Sequence, residues 1–166
     1  MSLTSLFLAK INSAILCVSF YNVHLDHKIN IKSEGLINFC KYSEDLVLSA
    51  EENKINPFIL AALIYQESRW ISNLTSSVGA CGLTQVIPRY LGQECDFLLG
   101  APDLAIEAGA YVLQKYKYEF LKIPNIEKAL QCYSTGVKCN YPLYSKKILH
   151  NAKVFQKYYL DLENSL

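Results

Sequence analysis

Residues 65–88 read YQESRWISNLTSSVGACGLTQVIP, and the fold turns on how this stretch divides. Its first four residues end an apolar run, PFILAALIYQES, that follows Asn56 and begins at Pro57. Asn is a favoured helix N-cap and Pro a favoured first helical residue, so a helix is expected from 57. Apolar side chains occupy nearly every side of it, which fits a helix buried at the centre of a domain. Beyond Arg69 the periodicity stops, and Gly79 and Gly82 punctuate a long loop. Glu67 is the only acidic residue of the stretch, and none follows from Ser68 to Gln93. Burial at the end of an apolar helix disfavours the carboxylate and raises its pKa, as a general acid working near neutral pH requires. Such a Glu can equally serve as a structural partner for a backbone amide or for Arg69. The loop favours chemistry: Gly79 and Gly82 let main chain approach a ligand. Ser76, Ser77, Thr84 and Gln85 offer neutral hydrogen-bonding groups suited to sugar hydroxyls and acetamides.

Outward from this stretch the pattern is almost wholly helical. Ser33 is expected to cap a helix over 34–53. Pro102-Asp103 opens another to about 120, and Pro124-Asn125 one to about 133. A turn with Gly136 and Pro142 precedes a last helix over 143–160. The expected fold is therefore all-α, α+β at most through a short hairpin near 70–82, with a long central loop region. Residues 33–166 form the main domain. Residues 1–32 form an N-terminal apolar segment and linker, with His24 and His27 at the surface. INSAILCVSF (11–20) has the length of a signal-peptide apolar region, but Lys10 is the only basic residue before it and no convincing cleavage site follows. An uncleaved helix is the preferred reading, with Leu3, Leu6, Phe7, Ile11, Ala14, Ile15 and Val18 recurring at helical spacing. The segment is too short and interrupted to span a bilayer.

Composition excludes a disordered or fibrous chain: of 166 residues, 51% are hydrophobic and 19% charged. Nine lysines between 111 and 160 face only Glu119 and Glu127, giving a basic stretch within a net charge of +1. A basic face can attract an anionic polymer. A nucleic-acid role for KYKYEF (115–120) is not expected, because stacking platforms need exposed aromatics and these tyrosines suit helix packing. The six cysteines form no C-x-x-C pair, and the three histidines complete no zinc spacing, so no metal is expected. Cys81 with Cys95, and Cys132 with Cys139, are close enough in sequence to close small disulfide loops. Cys17 and Cys40 are read as buried small hydrophobes.

Four separated motifs resemble the soluble lytic transglycosylase (SLT) domain of the lysozyme-like superfamily. Glu67-Ser68 followed by SSVGACGLTQ (76–85) is similar to that family's Glu-Ser and Ser-x-x-Gly-Ala-x-Gly-Leu-x-Gln, with the same spacer. DLAIEAGAYVL (103–113) resembles its Ile-x-x-Gly-x-x-Tyr-Leu helix, although Ala105 stands where Asn is usual. ALQCYSTG (129–136) resembles its Ala-Tyr-Asn-x-Gly motif, with Ser134 in place of the amide. Tyr144 resembles the tyrosine opening its last helix. Cys81, Cys95, Cys132 and Cys139 resemble the cysteines of phage-encoded members, where they look like loop staples.

The resemblance implies a peptidoglycan lytic transglycosylase with Glu67 as sole catalytic acid and base, and no cofactor. It assigns Ser76, Gln85, Tyr133 and Tyr144 to substrate. Peptidoglycan strands are the implied partner, with a virion or envelope-spanning assembly reached through residues 1–32. The implied location is the virion or the periplasm and cell envelope rather than the cytoplasm. Two alternatives remain at this level. A lysozyme-type muramidase would need a second carboxylate, with Glu94, Asp96 and Asp103 as candidates. A non-catalytic virion or secretion component would only bind glycan.

Overall fold

The computed structural model of the chain describes residues 3–120 and 125–166. Among them are eight α-helices and no β-strand: α1 (Leu3–Leu25), α2 (Ser33–Lys41), α3 (Ser43–Glu52), α4 (Pro57–Ser68), α5 (Cys95–Gly100), α6 (Pro102–Lys115), α7 (Ile126–Thr135) and α8 (Pro142–Glu163). The all-α expectation stands. Near 70–82 there are only isolated bridges, Thr75 with Cys81 and Cys81 with Val86.

Helix α4 starts as its sequence dictates. Asn56 Oδ1 accepts from the amides of Phe58 (2.9 Å) and Ile59 (3.3 Å), satisfying two donors that the helix leaves free. Leu60 to Tyr65 are all buried, with α3 and α8 packed against the helix. The helix expected over 34–53 is two helices, divided at Tyr42 (φ −106°, ψ 14°). Ser33 does not cap it; Lys32 holds that position without a side-chain bond. The Ser43 hydroxyl instead donates to Cys40 O (2.9 Å) beside the break. Helix α6 ends at Lys115 and continues as a π-helical turn over 116–120. Pro124, expected to open α7, lies outside the described residues; Asn125 caps that helix, accepting from Lys128 N (2.9 Å).

Helix α1 is not an appendage. It packs against α8, α3 and α2. Its inward face is Ala9, Ser13, Leu16, Phe20 and Val23, whereas Ile11, Ala14 and Val18 of the expected stripe are exposed. A helix apolar on both sides gives no sequence signal for which side faces the core. Phe20 stacks on Phe39 (centroids 3.7 Å apart) and meets Phe155 edge-on (5.0 Å). Residues 21–32, read as a linker, continue the helix to Leu25 and then bury Ile29 and Ile31. His27 is exposed, as expected, but His24 is half-buried with its Nδ1 enclosed.

Cys17 and Cys40 correct the sequence reading outright. They are bonded to each other and lock α1 to α2. Their 23-residue separation hid a contact made by helix packing. Cys81–Cys95 and Cys132–Cys139 are also bonded, leaving no free thiol among the described residues. Closing a loop of about 15 residues, the size that Cys81–Cys95 spans, contributes roughly 3 kcal/mol through the unfolded state.

Candidate active site

The site forms where α4 runs out. Its last turn carries Glu67 and Ser68, and the chain then turns through two left-handed residues, Arg69 (φ 54°) and Trp70 (φ 62°). Neither is a glycine, so each costs of order 1–2 kcal/mol. Packing holds them there. The Trp70 ring is fully buried edge-on to Phe39 (4.7 Å), and Asn38 Nδ2 donates to Trp70 O (2.9 Å). Gly35 permits the approach: a Cβ on it would lie 2.3 Å from Arg69 O.

Residues 71–86 then fold back over the end of α4 and are tied at several points. The Ser68 hydroxyl donates to Leu83 O (2.7 Å), Tyr133 Oη to Thr84 O (2.8 Å), and Thr84 Oγ1 to Ala105 O (2.6 Å). Cys81–Cys95 fastens the loop to α5, where Cys81, Leu98 and Ala105 make a small second core. Two motif glycines gain a physical reason. Gly82 has φ 71°, and a Cβ there would meet Leu98 O at 3.2 Å. A Cβ on Gly109 would lie 2.4 Å from Thr84 Cγ2, so α6 can meet the loop only without a side chain.

Glu67 is half-buried, and Tyr144 Oη, from the first turn of α8, donates a hydrogen bond to its Oε1. Burial raises the Glu67 pKa to about 6, against a smaller lowering by the Tyr144 bond. No other carboxylate contributes to that shift among the described residues. Both tyrosines sit inside the same field. Burial first, and the Glu67 charge second, push the phenols of Tyr133 and Tyr144 well above their ordinary value. Both therefore stay protonated as donors. The three candidate second carboxylates stand elsewhere. Glu94 and Asp96 are exposed on the α5 side, and Asp103 acts on Asp45.

Of the site residues expected from sequence, the structure brings Glu67, Tyr144 and Tyr133 together. Ser76 and Gln85 take part in the loop's own bonding: Ser76 Oγ accepts from Ala80 N (3.0 Å). Gln85 Nε2 donates to Gly82 O (2.9 Å) and Leu74 O (3.1 Å). Ser134 is exposed at the end of α7, which the Cys132–Cys139 bond ties to the turn that follows it. Sequence reasoning placed Ser68 in the Glu-Ser motif without a role for its hydroxyl, and missed Trp70, three residues after Glu67.

A half-buried acid closing the central helix of an all-α domain fits the lysozyme-like class. A family model, the transglycosylase SLT domain, matches residues 48–147. That span holds Glu67, the loop, Tyr133 and Tyr144, and the chain belongs to this family. At the level of the family, membership implies lytic transglycosylase activity on peptidoglycan. No curated protein matches the chain.

Proposed function

We propose that the chain cleaves the β-1,4 bond between N-acetylmuramic acid and N-acetylglucosamine without water, leaving 1,6-anhydro-muramic ends. The observation that carries this is Glu67: a single carboxyl with a pKa of about 6, clasped by Tyr144, in a chain of the SLT family. Protonated Glu67 gives its proton to the glycosidic oxygen as the C1–O bond breaks. The muramic C6 hydroxyl attacks C1 and passes its proton back to the Glu67 carboxylate, so the acid is regenerated and no water is consumed. Hydrolytic glycosidases place a second carboxylate for this step. Here the nucleophile is part of the substrate, and an oriented intramolecular group reaches an effective molarity of roughly 10⁵–10⁸ M. Tyr144 orients the carboxyl and favours its ionised form between the two proton transfers. Tyr133, held on Thr84 O, shapes the floor and keeps the glycine loop in place. Ser76 and Gln85 set the loop whose edge meets the sugar.

Three disulfides support work in an oxidising compartment, the cell envelope or a virion, rather than the cytoplasm. Among the described residues no helix is long and apolar enough to cross a membrane. The exposed apolar face of α1 (Leu8, Ile11, Val18, Tyr21, Leu25) supports an assembly contact through residues 1–32. The reading is tested with purified sacculi and the Glu67→Gln variant. Removing the acid is expected to lower the cleavage rate at least 10²-fold while glycan binding persists. Cleavage at the wild-type rate would overturn it.

A further inference from the structure

Arg69 does more than end α4. Its guanidinium lies 4.0 Å above the Tyr65 ring, at the rim of an open pocket of about 450 Å³ between α4 and α8. Lys146, Lys147 and His150 line the α8 side, and Gln66 and Asn151 also line the pocket. No carboxylate is among the lining residues. Arg69, Lys146, Lys147 and His150 are all exposed, so their charge is presented to solvent. Cations gathered around one concavity raise the local potential and concentrate anions there.

The location narrows the anion. Gln66 directly precedes Glu67, and Lys147 lies three residues, about 4.5 Å along the α8 axis, beyond Tyr144. The pocket thus adjoins the acid along the same pair of helices. In peptidoglycan the sugar hydroxyls and acetamides are neutral. Negative charge sits on the peptide stem, attached through the lactyl group of the muramic acid whose bond is cut. We infer that this pocket receives a free carboxylate of that stem peptide, which makes the enzyme one that prefers stem-bearing strands. Arg69, pre-set by its stacking on Tyr65, offers a planar fork for a carboxylate, and the lysines add point charges. The inference rests on the proposed transglycosylase reading of the adjoining acid site.

Binding, not turnover, tests it. The full chain carrying Glu67→Gln is titrated with glycan strands bearing stems and with strands stripped of stems by an amidase. Stem-bearing strands are expected to bind about fivefold to tenfold more tightly, and a free stem tripeptide to compete for the difference. Adding Lys146→Gln and Lys147→Gln, both on an exposed helix face, should erase the preference, as should Arg69→Gln. Equal affinity for the two strands overturns the proposal, and so does a preference that survives the charge removals. Displacement by a glycerol-phosphate oligomer but not by the tripeptide also overturns it, since the pocket would then serve a phosphate polymer. Anhydro ends from the wild-type enzyme are scored separately, so failure of the stem site and failure of the reaction assignment are distinguishable.

Discussion

Glu67 is held in a place that favours its neutral form, and two consequences follow from the sign of that shift. Below its ordinary pKa of 4.5 the carboxyl is protonated both folded and unfolded. As pH rises through about 6 the folded protein must ionise a desolvated group, and up to about 2 kcal/mol of stability is lost. Glu67→Gln stays neutral throughout. It is expected to exceed the wild type in urea-unfolding free energy at pH 7 by up to about 2 kcal/mol, and to match it at pH 4. An equal stability at both pH values would mean the site is not desolvated. Activity should follow the same group, falling about tenfold per unit as pH rises beyond about 6. Because the Tyr144 bond lowers the Glu67 pKa, Tyr144→Phe should move this descending limb to higher pH as well as slow the reaction. A tyrosine that merely packed would leave the limb where it is. Glu67 was legible because it sits in a motif with a fixed spacer, and Tyr144 because it resembles the tyrosine opening the family's last helix. The roles of Ser68 and Trp70 were not, since a hydroxyl reaching Leu83 O and a buried left-handed indole are products of tertiary packing.

The elements around the site meet through glycines and a staple. The loop over 71–86 has little regular structure, so its position depends on Ser68, Thr84, Tyr133 and the Cys81–Cys95 bond. Gly109→Ala puts a methyl 2.4 Å from Thr84 Cγ2, and either α6 or the loop must give way. It is expected to cost about 1–3 kcal/mol in chemical denaturation and to reduce cleavage, because the displaced loop also loses its bond to Tyr133. Unchanged stability and activity would show that α6 does not position the loop. The helix starts read well from the sequence where a proline marked the first turn, as at Asn56-Pro57 and Pro102. They read poorly at Tyr42, where no glycine or proline signals the division of α2 from α3.

At the scale of the whole molecule, α1 and the main domain share one core. Phe20 lies between Phe39 and Phe155, and Cys17–Cys40 ties the same corner covalently. Phe20→Ala is expected to cost about 3–5 kcal/mol and to lower the melting temperature of the whole domain in one transition. If residues 1–32 were a separate segment, that substitution would leave the main transition unmoved. This unity was hidden in the sequence, because α1 is apolar on two sides and its contacts are long-range. What the sequence did carry was the absence of a second acid near Glu67, and that absence bears directly on the reaction. The most direct measurement is the mass of muropeptides released from purified sacculi by the wild-type enzyme. The account predicts products terminating in 1,6-anhydro-muramic acid, about 18 Da lighter than their hydrated counterparts because no water is added. Reducing-end products carrying that water would contradict it.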